Sequence, residues 1–324
     1  MIKINRGPVP LTIKIYSEKK FKGLKGSAKI TKAEQELENA IEFFTNPANY
    51  NKDQKITPEK FTFHVYKNRE LAEELERVFG KKCAYCESDF AHVMPKDVEH
   101  FRPKSEIQTG EKKLQPGYFW LAGEWTNLLV ACADCNRARN HEVPGQPKKI
   151  KLGKETQFPL STEAFRLRAQ AALTDEDNVR MLLDPCNDEP DDHLVFNEEG
   201  LILARVDAQG QQSEKGNKSI AVFALQRKAL VEKRRQVLND LKSSIEQLSY
   251  LVKNHNTLKS LNVAQAHLDD NADQIRKITE KLAGMLLREA QYQAMLRGYI
   301  REGTQRGDFE NLEQFKIELM NLFK

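Results

Sequence analysis

The feature that most constrains this chain is a pair of C-x-x-C units, Cys83/Cys86 and Cys132/Cys135, with 45 residues between them. One C-x-x-C turn lets two thiolates grip an ion. Two such turns make the tetrahedral sulfur cage that zinc prefers, so both pairs are expected to share one structural zinc. Other readings are weaker. A thioredoxin-like redox pair needs a single C-x-x-C at a strand-to-helix turn and leaves the second pair without a role. Four unrelated buried thiols is the bland alternative. The fifth cysteine, Cys186, has no partner and reads as a small loop residue. In a reducing compartment, paired units of this kind point to metal or redox chemistry rather than a disulfide framework.

The 324 residues, 40% of them apolar, are enough for one large domain or two modest ones. A mean hydropathy of −0.65 and the lack of any 18-residue apolar run argue against a membrane span. The opening MIKINRGPVPLTIKIY has no apolar signal-peptide core, so the expectation is a soluble cytoplasmic protein. The net charge of +4 says little about nucleic acid, but it hides local imbalance. Residues 175–199 carry ten Asp or Glu against Arg180 alone, whereas 201–260 carry 11 Lys or Arg against 5 acids. The acidic stretch reads as a solvated, turn-rich connector, and a subunit-docking loop is its rival. The basic face of 218–253, with Lys228, Lys233, Arg234, Arg235 and Lys242, reads as a solvated helix face or a phosphate-backbone contact.

Residues 1–30 read as an extended arm or edge strand. A helix is expected from Thr31, with Leu37, Ile41 and Phe44 at helical spacing and Asn46-Pro47 as its stop. A second is expected from Thr57-Pro58 to about Phe79, with Gly80 beyond its end. Periodicity is then poor to about Pro147, where aromatics, Gly, Pro and Cys interleave. Leu194–Phe196 and 201–206 suit a short hairpin, and helices are expected over 218–253, 263–300 and 309–323. The fold class is therefore α+β and predominantly helical. Its expected parts are an N-terminal arm and helices (1–80), a zinc-stapled core (81–150), an acidic connector with a hairpin (151–210) and a C-terminal helical region (211–324).

Between and around the cysteine pairs four elements run in order within about 55 residues: CAYC, EHFRPKS, NLLVAC and CADCN. In this order they resemble the HNH endonucleases whose ββα-metal core is held by two C-x-x-C pairs. The resemblance implies that His100 is the general base, near-neutral imidazole chemistry being suited to activating water. It implies Glu99 and Asn136 as ligands of a catalytic Mg²⁺ or Mn²⁺, and Asn127 as the residue that orients the His100 ring. The chain departs from the commoner pattern in having Glu99 for Asp and Asn136 for His, which leaves Asp97 or His141 as alternatives to complete the site.

The opening MIKINRGPVP, the stretch from Tyr118 to Leu128 and the stretch from Leu183 to Phe196 resemble, more narrowly, the PtuB-like HNH subunits of Septu and retron-associated anti-phage systems. This likeness covers roughly residues 1–240. It implies a nuclease subunit acting on nucleic acid, DNA or possibly RNA, beside a PtuA-like ATPase of the ABC/SMC type. The competing reading is a catalytically silent, zinc-stapled module that binds nucleic acid or docks on the ATPase. Such a module would have no reason to keep the acid-His-Asn set. Tyr118, Phe119, Trp120 and Trp125 are expected to pack on the zinc core rather than to stack bases.

Overall fold

The computed structural model describes residues 1–17, 19–23, 26–53, 55–56, 61–92, 94, 97–309 and 312, with only the backbone of 19–23 and 26–29 considered. The first 17 residues form an irregular arm, followed by an antiparallel hairpin of β1 (Lys19–Gly23) and β2 (Gly26–Ile30). Helix α1 (Lys32–Thr45) begins where its capping residues put it. The Thr31 hydroxyl accepts from the Glu34 N–H, the Glu34 carboxylate accepts from the Thr31 N–H, and Asn46 ends the helix.

The next helix is shorter than its sequence signal. Thr57 and Pro58 lie outside the described residues, and α2 spans Arg69–Val78, capped by Asn68. Phe61 and Phe63 show why residues 61–64 are not helical. Both rings meet Phe44 on α1, and a spacing of two on one face belongs to extended chain.

The centre of the chain is an antiparallel pair and a short helix. Strand β3 (Asp97–His100) pairs with β6 (Leu128–Ala131), His100 opposite Leu128 and Asp97 opposite Ala131. Between them runs the hairpin of β4 (Ile107–Thr109) and β5 (Lys112–Leu114), and α3 (Ala133–Asn136) follows β6 directly. A hairpin of β7 (Arg139–His141) and β8 (Ile150–Leu152) then returns the chain to the same region. Leu128, Leu129, Val130 and Ala131 are all buried, so β6 is the spine of the core. Tyr118, Phe119, Trp120 and Trp125 are buried, with Phe119 stacked on Phe44 and Tyr118 edge-on to Phe158, as expected of packing residues.

The acidic stretch is solvated only in part: Asp175, Glu189, Asp191, Asp192, Glu198 and Glu199 are exposed, while others turn inward. Within and after α4 (Thr174–Val179), Glu176 is fully buried and Asp184 nearly so. Arg102 reaches Glu176 at 2.8 Å and Asp177 at 2.7 Å, and Arg180 reaches Asp188 at 2.6 Å. Buried arginines recruit these carboxylates into the interior because a charge taken out of water needs a partner. The hairpin expected after them is present as β9 (Leu194–Phe196) and β10 (Ile202–Ala204).

The helical remainder is broken twice where periodicity ran on. Helices α5 (Glu214–Val222) and α6 (Lys228–Ser260) part at Ala224, whose φ is +51°. There Phe223 stacks on Tyr85 with ring centroids 3.9 Å apart. Helices α7 (Gln265–Leu286) and α8 (Gln293–Arg306) part before Tyr292, at φ +57°. The Lys82 ammonium takes the Arg288 and Ala290 carbonyls at 2.6 and 2.7 Å, in place of a continuing helical turn. The expected helix over 309–323 lies almost wholly outside the described residues. The basic face of α6 is largely exposed, as expected of a solvated helix face, with Arg234 as its buried member. Lys242 lies 3.5 Å from Glu198 and Arg235 lies 3.7 Å from Glu199. One cluster of buried side chains runs from Met1 to Leu312. No helix among the described residues is long and apolar enough to cross a membrane.

Candidate active site and metal centre

The four cysteines meet. All are buried, and their sulfurs lie within 4.8 Å of one another, with Cys86 and Cys132 3.8 Å apart. A tetrahedral cage with Zn–S bonds of about 2.3 Å needs sulfurs about 3.8 Å apart, so the group has the size and softness zinc prefers. Backbone bonds hold the two turns in place. The Ala84 N–H donates to the Val130 carbonyl at 2.8 Å and the Cys83 N–H to the Ser88 carbonyl at 3.0 Å. Burial pushes the Cys83 and Cys135 thiols well up, which disfavours thiolates unless a cation sits among them. A fixed cation stands beside the cage. The Arg227 guanidinium, entering from the α5–α6 break, donates to Cys135 and Cys86 at 3.5 Å and to Cys132 at 3.8 Å. Among the described residues, no other group of three or more His, Cys, Asp or Glu side chains is close enough to hold an ion.

On the other face of β3 lies a cleft of about 590 Å³ whose lining includes Asp97, Glu99, His100, Lys104 and Asn136. His100 is buried, and its Nε2 lies 3.0 Å from the Ala122 carbonyl. A carbonyl can only accept, so Nε2 carries the proton and Nδ1 keeps the lone pair. Burial first, and the nearby Lys104 cation second, hold the imidazole well below its usual range. The ring is therefore neutral at neutral pH. Lys104 Nζ lies 3.5 Å from Nδ1 and 4.4 Å from the centre of the Tyr66 ring, which itself meets His100 edge-on. Burial also lowers the Lys104 ammonium, to about 8.

Asn127 does not touch the His100 ring. Its amide clasps the following loop, accepting from the Arg102 N–H at 2.8 Å and donating to the Arg102 and Leu121 carbonyls at 3.0 and 3.1 Å. Leu121 precedes Ala122, so Asn127 secures the carbonyl that holds the ring without meeting the ring itself. Glu99 is buried, with Lys154 Nζ 2.6 Å from its Oε1. Burial pushes its carboxyl up and Lys154 pulls the other way. Asp97 is held by both arms of Arg137, at 2.8 and 3.0 Å, and accepts from Asn136 Nδ2 at 3.2 Å. His141 is not among the residues lining the cleft, and its Nε2 is buried without a hydrogen-bond partner.

Glu99, Asp97 and Asn136 thus bring hard oxygen donors to one cleft, a set that suits Mg²⁺ or Mn²⁺ in chemistry. Sequence reasoning missed Tyr66, Lys104, Lys154 and Arg227. Lys104 stood inside the EHFRPKS string, but the other three come from distant segments with no motif of their own.

No family model matches the chain. Over 184 residues, 56% of its length, it is 38% identical to Septu protein PtuB of Bacillus mycoides (strain KBAB4), of which it covers 55%. Over 203 residues, 60% of its length, it is 27% identical to Septu protein PtuA of the same strain, of which it covers 25%. The chain therefore spans about half of the first relative and a quarter of the second.

Proposed function

We propose that the chain is a metal-dependent HNH endonuclease that hydrolyses phosphodiester bonds in nucleic acid, DNA foremost, as the nuclease subunit of an anti-phage defence complex. The observation that carries this reading is the His100 imidazole, its Nε2 on the Ala122 carbonyl and its Nδ1 without a backbone partner, set in one cleft with Glu99, Asp97 and Asn136. In this mechanism His100 Nδ1 takes the proton from the attacking water. The Ala122 carbonyl keeps the ring in the right tautomer and stabilises the imidazolium that forms. Glu99 and Asn136, with Asp97 beside them, would hold a Mg²⁺ or Mn²⁺ ion, which would supply Lewis-acid stabilisation of charge on the phosphate and leaving oxygen. Lys104, beside Nδ1, adds positive charge for the scissile phosphate. Cys83, Cys86, Cys132 and Cys135 would hold a zinc ion, which would tie β6 and α3 to the first cysteine turn.

Likeness to PtuB and PtuA supports the defence setting and a PtuA-like ATPase as partner, and a four-cysteine metal cage suits a reducing, cytoplasmic location. The test is nicking of plasmid DNA, and in parallel of structured RNA, by purified protein with Mg²⁺ or Mn²⁺, with and without the ATPase. Cleavage that EDTA stops and that His100→Ala abolishes is expected. A His100→Ala variant that cuts as fast as wild type removes His100 from the mechanism.

A further inference from the structure

Lys154 is fully buried, and neither the motif nor the zinc site accounts for it. Its ammonium makes two contacts on one strand, 2.6 Å to Glu99 Oε1 and 2.9 Å to the His100 carbonyl. Its backbone N–H donates to the Cys135 carbonyl at 2.9 Å, and the next N–H, of Glu155, donates to the Asn136 carbonyl at 2.6 Å. One dipeptide therefore ties the end of α3 to the end of β3. The approach is built for glycine at the preceding position. Gly153 has φ +135°, and a Cβ there would stand 2.2 Å from the Arg137 carbonyl oxygen. Among the described residues, the hydrogen bonds of Glu99 all fall on Oε1, yet Glu99 lines the cleft. The carboxylate is thus anchored through one oxygen and offers the other to the cleft.

We propose that Lys154 is a positioning residue that orients Glu99 toward a divalent cation and sets its separation from Asn136. The proposal rests on the nuclease reading, which makes Glu99 and Asn136 the ligands. A buried ammonium is suited to this because it locks a carboxylate rotamer that water would leave free, and outer contacts of this kind are worth roughly 10–100-fold in metal affinity. Arg137 on Asp97 is a different arrangement. Its side chain is 60% exposed, so it can swing aside, whereas Lys154 has nowhere else to go.

The experiment titrates Mn²⁺ into zinc-loaded full-length protein by calorimetry, with zinc content and circular dichroism recorded for each variant. Lys154→Met is expected to weaken Mn²⁺ binding by about 10-fold or more with zinc retained. In a Glu99→Gln background the same substitution is expected to change binding less than about 2-fold, because a residue acting through Glu99 has nothing left to position. Wild-type affinity in Lys154→Met, or equal losses in both backgrounds, overturns the proposal. If Lys154→Met does not fold, Lys154→Arg decides. It keeps the charge but not the single-point geometry, and is expected to bind Mn²⁺ several-fold more weakly. Equal affinity there overturns the proposal. Failure of the underlying reading looks different, since wild type would then bind no Mn²⁺ or Glu99→Gln would bind it as well as wild type.

Discussion

Replacing Arg102 by Met tests how the motif loop is held, and its cost can be worked from the contacts. Arg102 is 4% exposed and donates to Glu176, which is 0% exposed, at 2.8 Å. Stripping a buried carboxylate of its cation typically costs about 3–5 kcal/mol. Glu176 keeps the Tyr118 hydroxyl at 2.8 Å and the Leu167 N–H at 2.9 Å, which places the loss toward the lower end of that range. Asp177 is 39% exposed and stays solvated, so losing it adds under about 1 kcal/mol. Arg102 also stands over the Phe158 ring, 5.0 Å from its centre, a contact worth about 1–2 kcal/mol that the Met side chain partly replaces. The expected total is about 3–4 kcal/mol, a large share of the roughly 5–15 kcal/mol that holds a native protein together. Urea unfolding of the zinc-loaded protein, followed by tryptophan fluorescence, measures it. Adding Glu176→Gln should return much of the loss, because it removes the unpaired buried charge while an amide oxygen can still accept from Tyr118 and Leu167. A single variant within about 1 kcal/mol of wild type, or strictly additive losses in the double variant, would refute the reasoning. Because Asn127 clasps Arg102 by its backbone alone, the Asn127 bonds should survive the substitution.

Further outcomes follow from the same contacts. Arg227→Met removes a donor to three cysteine sulfurs and should speed zinc loss to a chelator, read with a colorimetric zinc indicator, by about 10-fold or more. Gly153→Ala forces a Cβ against the Arg137 carbonyl at an unfavourable φ, and should lower the free energy of urea unfolding by more than the roughly 1 kcal/mol typical of a point change. The His100 imidazole is held below its unfolded value, so the folded state binds fewer protons. That stabilisation is fully present above about pH 6.5 and is lost as pH falls below it, by up to about 1.4 kcal/mol per pH unit. His100→Gln should flatten the acid limb of the stability profile, and an unchanged limb would remove His100 as its source.

Local signals were legible in the sequence because they act over a few residues. Thr31 and Glu34 cap α1 within one turn, and Asn46 stops it, so that helix begins and ends as read. The two C-x-x-C units each close on themselves, and their shared chemistry demanded that they meet, as they do. The order of the acid, histidine and asparagine put Glu99, His100 and Asn136 around one cleft. Partners far apart in the chain were decided only by the tertiary path. The carbonyl that fixes the His100 tautomer comes from Ala122, the cation on Glu99 from Lys154, 54 residues beyond the neighbouring His100 whose carbonyl it also takes, and the carboxylate on Arg102 from Glu176, 74 residues on. The same holds for the breaks at Ala224 and Tyr292. Apolar periodicity continues through both, but there Phe223 stacks on Tyr85 and Lys82 bonds two freed carbonyls in place of another helical turn. Composition likewise left open whether the acidic stretch faces water. Most of its acids do face water, but buried arginines drew Glu176 and Asp188 inward, since in a medium of low dielectric a charge is tolerated only beside its opposite.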